Sequence, residues 1–210
     1  TRILLDGGHR SDAMVDEVSE LDLPPNVIDL LVNEWNITRL HPPQAEALPI
    51  ALSGENLLLA IPTASGKSLV AYLAIIQRIL VDRPGSRAFY LVPLKALASE
   101  KVEELREAGE SLGFTVGMAV GDRSGETVSL DQADVIVATS EKFDSLMRNR
   151  DGFLNQVSIV VADEVHLIHD QSRGPTMEVN LARVKHERPD AQIIALSATV
   201  GNADEIADWL

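Results

Sequence analysis

Asn56-Leu57-Leu58-Leu59-Ala60-Ile61-Pro62-Thr63-Ala64-Ser65-Gly66-Lys67-Ser68 decides how this 210-residue chain is read. The unbroken apolar run from Leu57 to Ile61 predicts a short strand covered on both faces. Small residues then make a turn, and Ala71, Ile75, Ile76, Ile79 and Leu80 continue at helical spacing. Gly66-Lys67-Ser68 therefore falls where a helix begins. Free backbone N–H groups and the positive end of the helix dipole converge there. Lys67 adds a full charge for outer phosphates, and Ser68 offers a hydroxyl to Mg²⁺. This is the pattern of a phosphate-binding loop, although Ile61 stands where the strict pattern has glycine. The bland reading of the same residues is a strand–turn–helix with a solvated lysine.

Working outward, composition bounds the class. A chain of this length can hold one large α/β domain. There are no cysteines, so neither a disulfide framework nor a cysteine metal site is available. No apolar run approaches a membrane span, and Asp6-Gly7-Gly8-His9-Arg10 breaks any signal-peptide pattern, so a soluble cytoplasmic protein is expected. The net charge is −14, with 32 acidic against 18 basic residues. Such a surface disfavours broad nucleic-acid affinity. Either no nucleic acid is bound, or the composition reflects a high-salt proteome, or the basic surface is local or lies on other parts. Lysine occurs only five times, at 67, 95, 101, 142 and 185.

Residues 1–20 are polar and acidic, without a clear period, and read as a loosely held leader or extension. A short helix is expected over Val27 to Asn33, and another from Pro42 to about Leu52, closed by Gly54. Strands are expected at Arg87 to Val92, Phe114 to Val120, Asp134 to Ala138, Val157 to Ala162 and Ala191 to Leu196. Helical patterns separate them, through Leu94 to Ala108, Phe143 to Met147, Gly174 to Val184 and Asn202 to Leu210. Alternation of this kind implies a mainly parallel sheet wrapped on both faces, with ligands beyond the carboxyl ends of its strands.

Ser158-Ile159-Val160-Val161-Ala162 delivers Asp163-Glu164-Val165-His166 to one such end. A metal held by Ser68 and phosphates needs an anionic partner from a neighbouring strand, which Asp163 supplies. Glu164 can then orient and deprotonate an attacking water. The alternative is a solvated Asp-Glu pair capping a helix. His166 alone would read as a structural hydrogen-bonder, and Ser197-Ala198-Thr199 as a simple turn; their placement beside Glu164 changes that.

Gly66-Lys67-Ser68, Asp163-Glu164-Val165-His166 and Ser197-Ala198-Thr199, in this order, resemble motifs I, II and III of superfamily-two helicases. Pro42-Pro43-Gln44-Ala45-Glu46-Ala47 resembles the Q motif, and Val92 to Lys101 and Thr139 to Leu146 resemble motifs Ia and Ib. Together with Arg173 to Glu178 they are most similar to the Ski-like branch and its archaeal HelQ-like DNA repair helicases. The resemblance covers residues 21–210. It implies a RecA-like P-loop NTPase fold, a three-layer sandwich around a mainly parallel sheet. It also implies ATP and Mg²⁺ as cofactors. Gln44 would read adenine, and Pro62, Thr63, Ala64, Ser65, Gly66, Lys67 and Ser68 would wrap the phosphates. Ser68 and Asp163 would hold the metal, with Lys67, Asp163 and Glu164 catalytic. His166, Ser197 and Thr199 would couple the ATP state to the nucleic-acid path. Lys95, Gly121, Asp122, Thr139 and Arg173 would lie along the bound strand.

The family pattern includes a second RecA-like domain whose arginines reach the γ-phosphate; its motifs fall outside these residues. The expectation is a monomeric first motor domain of an ATP-dependent DNA helicase acting on single-stranded or forked DNA. By itself it would bind ATP weakly and hydrolyse little. An RNA helicase of the same branch, or a nucleotide-dependent binding module that does not unwind, are the alternatives.

Overall fold

The computed structural model describes residues 2–5, 15–62, 66–121, 129–149, 152–169, 174–198, 201 and 203–210. Seven strands form one sheet: β1 (Arg2–Leu5), β2 (Leu57–Ala60), β3 (Arg87–Val92), β4 (Val116–Ala119), β5 (Val135–Thr139), β6 (Val157–Ala162) and β7 (Gln192–Ser197). Their order across the sheet is β1-β2-β7-β6-β3-β5-β4, and every pairing is parallel. The apolar runs explain this. In β6, Ile159 and Val161 enter one core while Val157, Val160 and Ala162 enter the other. A strand with two buried faces needs helices on both sides, and each fully buried Val, Leu or Ile contributes roughly 1.5–3 kcal/mol.

Four helices cover the first face: α1 (Pro25–Asp29, continued by a π turn, Leu30–Glu34), α2 (Pro42–Ser53), α3 (Lys67–Ile76, continued by π turns, Gln77–Asp82) and α4 (Lys95–Leu112). Three cover the second: α5 (Ser140–Asn149), α6 (Gly174–Glu187) and α7 (Ala203–Trp209). The expected three-layer RecA-like sandwich is observed. Gly54 closes α2 at φ +85°, a left-handed value that favours glycine. Among the described residues, no helix is long and apolar enough to cross a membrane.

Within residues 1–20, two described stretches are built into the fold. Arg2–Leu5 forms β1, in register with Leu57–Ala60. Residues 15–20 are pinned as well: Val18 is fully buried, its N–H donates to the Thr38 carbonyl at 3.0 Å, and the Leu40 N–H donates to the Asp16 carbonyl at 2.7 Å. The third expected strand is shorter than Phe114 to Val120, and the fourth and last each run one residue further on, through Thr139 and Ser197.

Candidate nucleotide site

β2 ends at Ala60, and α3 starts after Gly66, which has φ +73°. Thr63, Ala64 and Ser65 lie outside the described residues. Lys67 is the first residue of α3 and is buried. Its ammonium donates to the carbonyls of Ile61 (2.9 Å) and Pro62 (3.2 Å), so it reaches back across the loop. Burial lowers its pKa, and the charges of Glu164 and Asp163 act in the opposite direction.

Gln44, also buried, fastens α2 to the same loop. Its Nε2 donates to the Gly66 carbonyl (3.1 Å), while its Oε1 accepts the His41 N–H (2.8 Å). A Cβ on residue 66 would stand 2.1 Å from that Nε2. Positive φ and close approach therefore both call for glycine here. Trp35 packs against Tyr72, with ring centroids 6.4 Å apart.

Two places along the sheet, β6 delivers Asp163, which is 6% exposed. Its N–H donates to the Leu91 carbonyl (2.9 Å), which extends the β6–β3 pairing past the strand end. Its Oδ2 accepts the Tyr90 hydroxyl (2.7 Å), and its Oδ1 accepts the Glu164 N–H (2.9 Å). Glu164 adopts φ +55°, a left-handed backbone that costs a non-glycine residue on the order of 1 kcal/mol or more. The bend turns its carboxylate toward His166, whose Nε2 lies 3.1 Å away. The His166 Nδ1 accepts the Ala198 N–H (3.1 Å), so motifs II and III meet through one imidazole. Ser197 is fully buried with its hydroxyl on the Ala198 carbonyl (2.8 Å); Thr199 lies outside the described residues.

The residues suit a magnesium-bound nucleotide. The Ser68 hydroxyl and the Asp163 carboxylate both reach the Tyr90 phenol, so the two metal-ligating candidates converge on one point. Among the described residues no cluster of three His, Cys, Asp or Glu could hold a metal.

The candidate strand contacts occupy the other half of the sheet. Lys95, exposed, opens α4 after β3; Gly121, exposed at φ +60°, follows β4; Thr139 ends β5, buried, its hydroxyl accepting the Lys142 N–H at 3.4 Å. Asp122 and Arg173 lie outside the described residues. Nucleotide candidates thus follow β2, β7 and β6, and strand candidates follow β3, β5 and β4.

Sequence reading missed what joins the halves. Lys101 donates to the Ser68 hydroxyl (3.1 Å) and lies 3.7 Å from Glu104, which also accepts the Tyr72 hydroxyl. Burial is the main cause holding the phenols of Tyr72 and Tyr90 well above the usual tyrosine range, so both remain donors. A signal existed: Lys101 sits on the stripe Ala98, Val102, Leu105, Ala108 of α4. Likewise Asn180, fully buried on the stripe of α6, donates to the Ser140 carbonyl at 2.7 Å and fixes the start of α5.

A loop that closes on glycine between a buried parallel strand and a helix, faced by an aspartate–glutamate pair two strands away, defines a RecA-like P-loop nucleoside triphosphatase domain. The chain belongs to the DEAD/DEAH box helicase family, whose model matches residues 41–206. It is 48% identical over 199 residues to the ATP-dependent DNA helicase Hel308 of Methanocella arvoryzae, covering 92% of this chain and 26% of that protein. The Hel308 proteins of Pyrococcus horikoshii and Thermococcus kodakarensis are 47% and 49% identical over 195 residues, covering 92% of this chain and 26% and 17% of theirs. The chain thus spans about a quarter or less of the length of these relatives.

Proposed function

We propose that this chain is the ATP-binding motor domain of a cytoplasmic, ATP-dependent DNA helicase of the kind that serves repair or recombination. The observation that carries it is the convergence of Lys67, Ser68, Asp163 and Glu164 beyond the ends of β2 and β6, two places apart in the sheet, with His166 joining Glu164 to motif III. The family relationship supports ATP as the nucleotide, and the similarity to ATP-dependent DNA helicases supports DNA as the substrate.

Each residue has a chemical task in this reading. Gln44, already on Gly66, borders the adenine side. Backbone N–H groups from Thr63 to Ser68, together with the Lys67 ammonium, neutralise the phosphates. Ser68 and Asp163 hold Mg²⁺, which when bound spreads charge across the transferring phosphoryl group. Glu164 takes the proton of the attacking water. His166 and the Ser197–Thr199 segment pass the state of that site toward the strand-facing half, where Lys95, Gly121, Asp122, Thr139 and Arg173 contact a single-strand backbone.

Hydrolysis at full rate also needs an arginine from a second motor domain. In related enzymes such a residue contributes roughly 10³–10⁵ in rate, or on the order of 4–7 kcal/mol. The test is steady-state phosphate release by this chain alone and joined to its second motor domain, with single-stranded DNA, single-stranded RNA or neither. DNA-stimulated turnover only in the two-domain protein supports the proposal. Stimulation by RNA alone points to an RNA helicase, and ATP binding without turnover in either form points to a binding module. Strong turnover by this chain alone overturns the two-domain account.

A further inference from the structure

Lys101 is a charge buried without an evident purpose. It is 9% exposed, on the face of α4 that packs against the sheet. Its ammonium makes four contacts with distinct chemistry. It donates to Ser68 Oγ at 3.1 Å, stands 3.5 Å from a Glu100 oxygen and 3.7 Å from a Glu104 oxygen, and lies 5.9 Å from the centre of the Tyr72 ring. Only the first is to a candidate metal-ligating group. The other three are anionic or electron-rich and lie on the side of α4 and of the α3 tyrosine. The ammonium therefore has one neutral partner, the candidate metal ligand Ser68, and two carboxylates.

We propose that Lys101 is a metal-responsive positioning residue: its ammonium holds the Ser68 hydroxyl when no cation is there, and yields that hydroxyl to Mg²⁺ by moving onto Glu104 and Glu100. This rests on the assignment of Ser68 as a metal ligand. A divalent cation on Ser68 and an ammonium donating to the same oxygen repel one another at short range. The pair of carboxylates gives the displaced charge a place to go, so the group need not be expelled into an apolar interior. Tyr72 donates to the same Glu104 oxygen that faces Lys101, which keeps that acceptor in place. Tyr90, packed 5.8 Å from Tyr72, holds Asp163 in the same way. The outcome is a site whose selectivity for metal-bound over metal-free nucleotide is set partly by a competing internal cation.

The readout is the gain in affinity that Mg²⁺ gives a fluorescent ADP analogue, the ratio of Kd in EDTA to Kd in Mg²⁺, by equilibrium titration. Lys101→Met removes the competitor, and the ratio is expected to rise about tenfold. Glu104→Gln removes the alternative seat, strengthens the hold on Ser68, and is expected to lower the ratio about threefold. Damage to packing would weaken binding in both variants in the same sense, so shifts of opposite sign separate the two causes. Glu104 is 42% exposed at its side chain, so its variant tests the proposal even where Lys101→Met folds poorly. An unchanged ratio in Glu104→Gln, or equal-sign shifts in both, overturns the proposal. Ser68→Ala distinguishes the deeper failure: if it binds with the same Mg²⁺ gain as wild type, the metal assignment itself is wrong.

Discussion

His166 stands between Glu164 and Ala198, with Nε2 3.1 Å from the Glu164 carboxylate and Nδ1 accepting the Ala198 N–H at 3.1 Å. An imidazole that accepts at Nδ1 and donates at Nε2 is neutral, and this pattern fixes its tautomer. The link is specific to an aromatic ring with two nitrogens at fixed spacing. His166→Ala in the two-domain protein should leave the ATP Kd within about threefold while lowering DNA-stimulated kcat about tenfold. Parallel binding and turnover assays decide it; a large loss of ATP affinity would place His166 in binding instead.

Glu164→Gln keeps shape and the contact with His166 but removes the base. Mg-ATP binding should stay near wild type, and hydrolysis should fall at least about 10²-fold. Because Glu164 sits at φ +55°, Glu164→Gly should abolish turnover yet raise stability by about 1 kcal/mol, seen as a higher urea midpoint. A lower midpoint would mean the glutamate side chain stabilises the bend.

Lys67→Ala should weaken ATP binding by on the order of 3 kcal/mol, about a hundredfold, through loss of a charge-assisted donor. Titration with a labelled analogue measures this. The same residue leaves a signature in stability. Its folded pKa lies below the unfolded value near 10.4, so between those values the unfolded chain binds more protons, and stability rises with pH. Subtracting the stability–pH curve of Lys67→Met from that of wild type should expose this rise on the alkaline side.

Gly66→Ala meets the Gln44 amide and a positive φ together. A stability loss of roughly 1–3 kcal/mol is expected, with reduced nucleotide affinity. Pairing it with Gln44→Ala should recover part of the loss, because one of the two penalties disappears; thermal unfolding of the single and double variants tests the coupling.

Tyr90→Phe leaves the buried Asp163 carboxylate short of one donor. Unfolding free energy should drop by about 1–3 kcal/mol, read from chemical denaturation. No change would show that Asp163 finds another partner.

Most of the sheet was legible because its strands are unbroken apolar runs bounded by turn residues, as at Arg87–Val92 and Val157–Ala162. The positions of Lys67 and Asp163 at strand ends were legible because that spacing is local, whereas Gln44 on α2 was reached only through the resemblance of Pro42–Ala47 to the Q motif. β1 was not: Arg2–Leu5 is four residues long, and only its pairing with residues more than fifty positions away makes it a strand. The Lys101 cluster was hidden for the same reason. It gathers side chains from α3 and α4, with Tyr90 of β3 packed on Tyr72, and no spacing along the chain encodes that meeting. What the sequence did hold was an anomaly, a scarce lysine on an apolar stripe and a tyrosine inside an apolar strand.

β1 also shields the sheet edge that leads into the nucleotide loop. Without Arg2–Leu5, the backbone of Leu57–Ala60 would lose its parallel partner on that side, and this segment is apolar on both faces. An open, hydrophobic strand margin invites intermolecular pairing. Shortening the amino terminus by a few residues should therefore cost colloidal behaviour before it costs catalysis: light scattering would climb on storage, with nucleotide slowing the process because the proposed binding site follows the same strand.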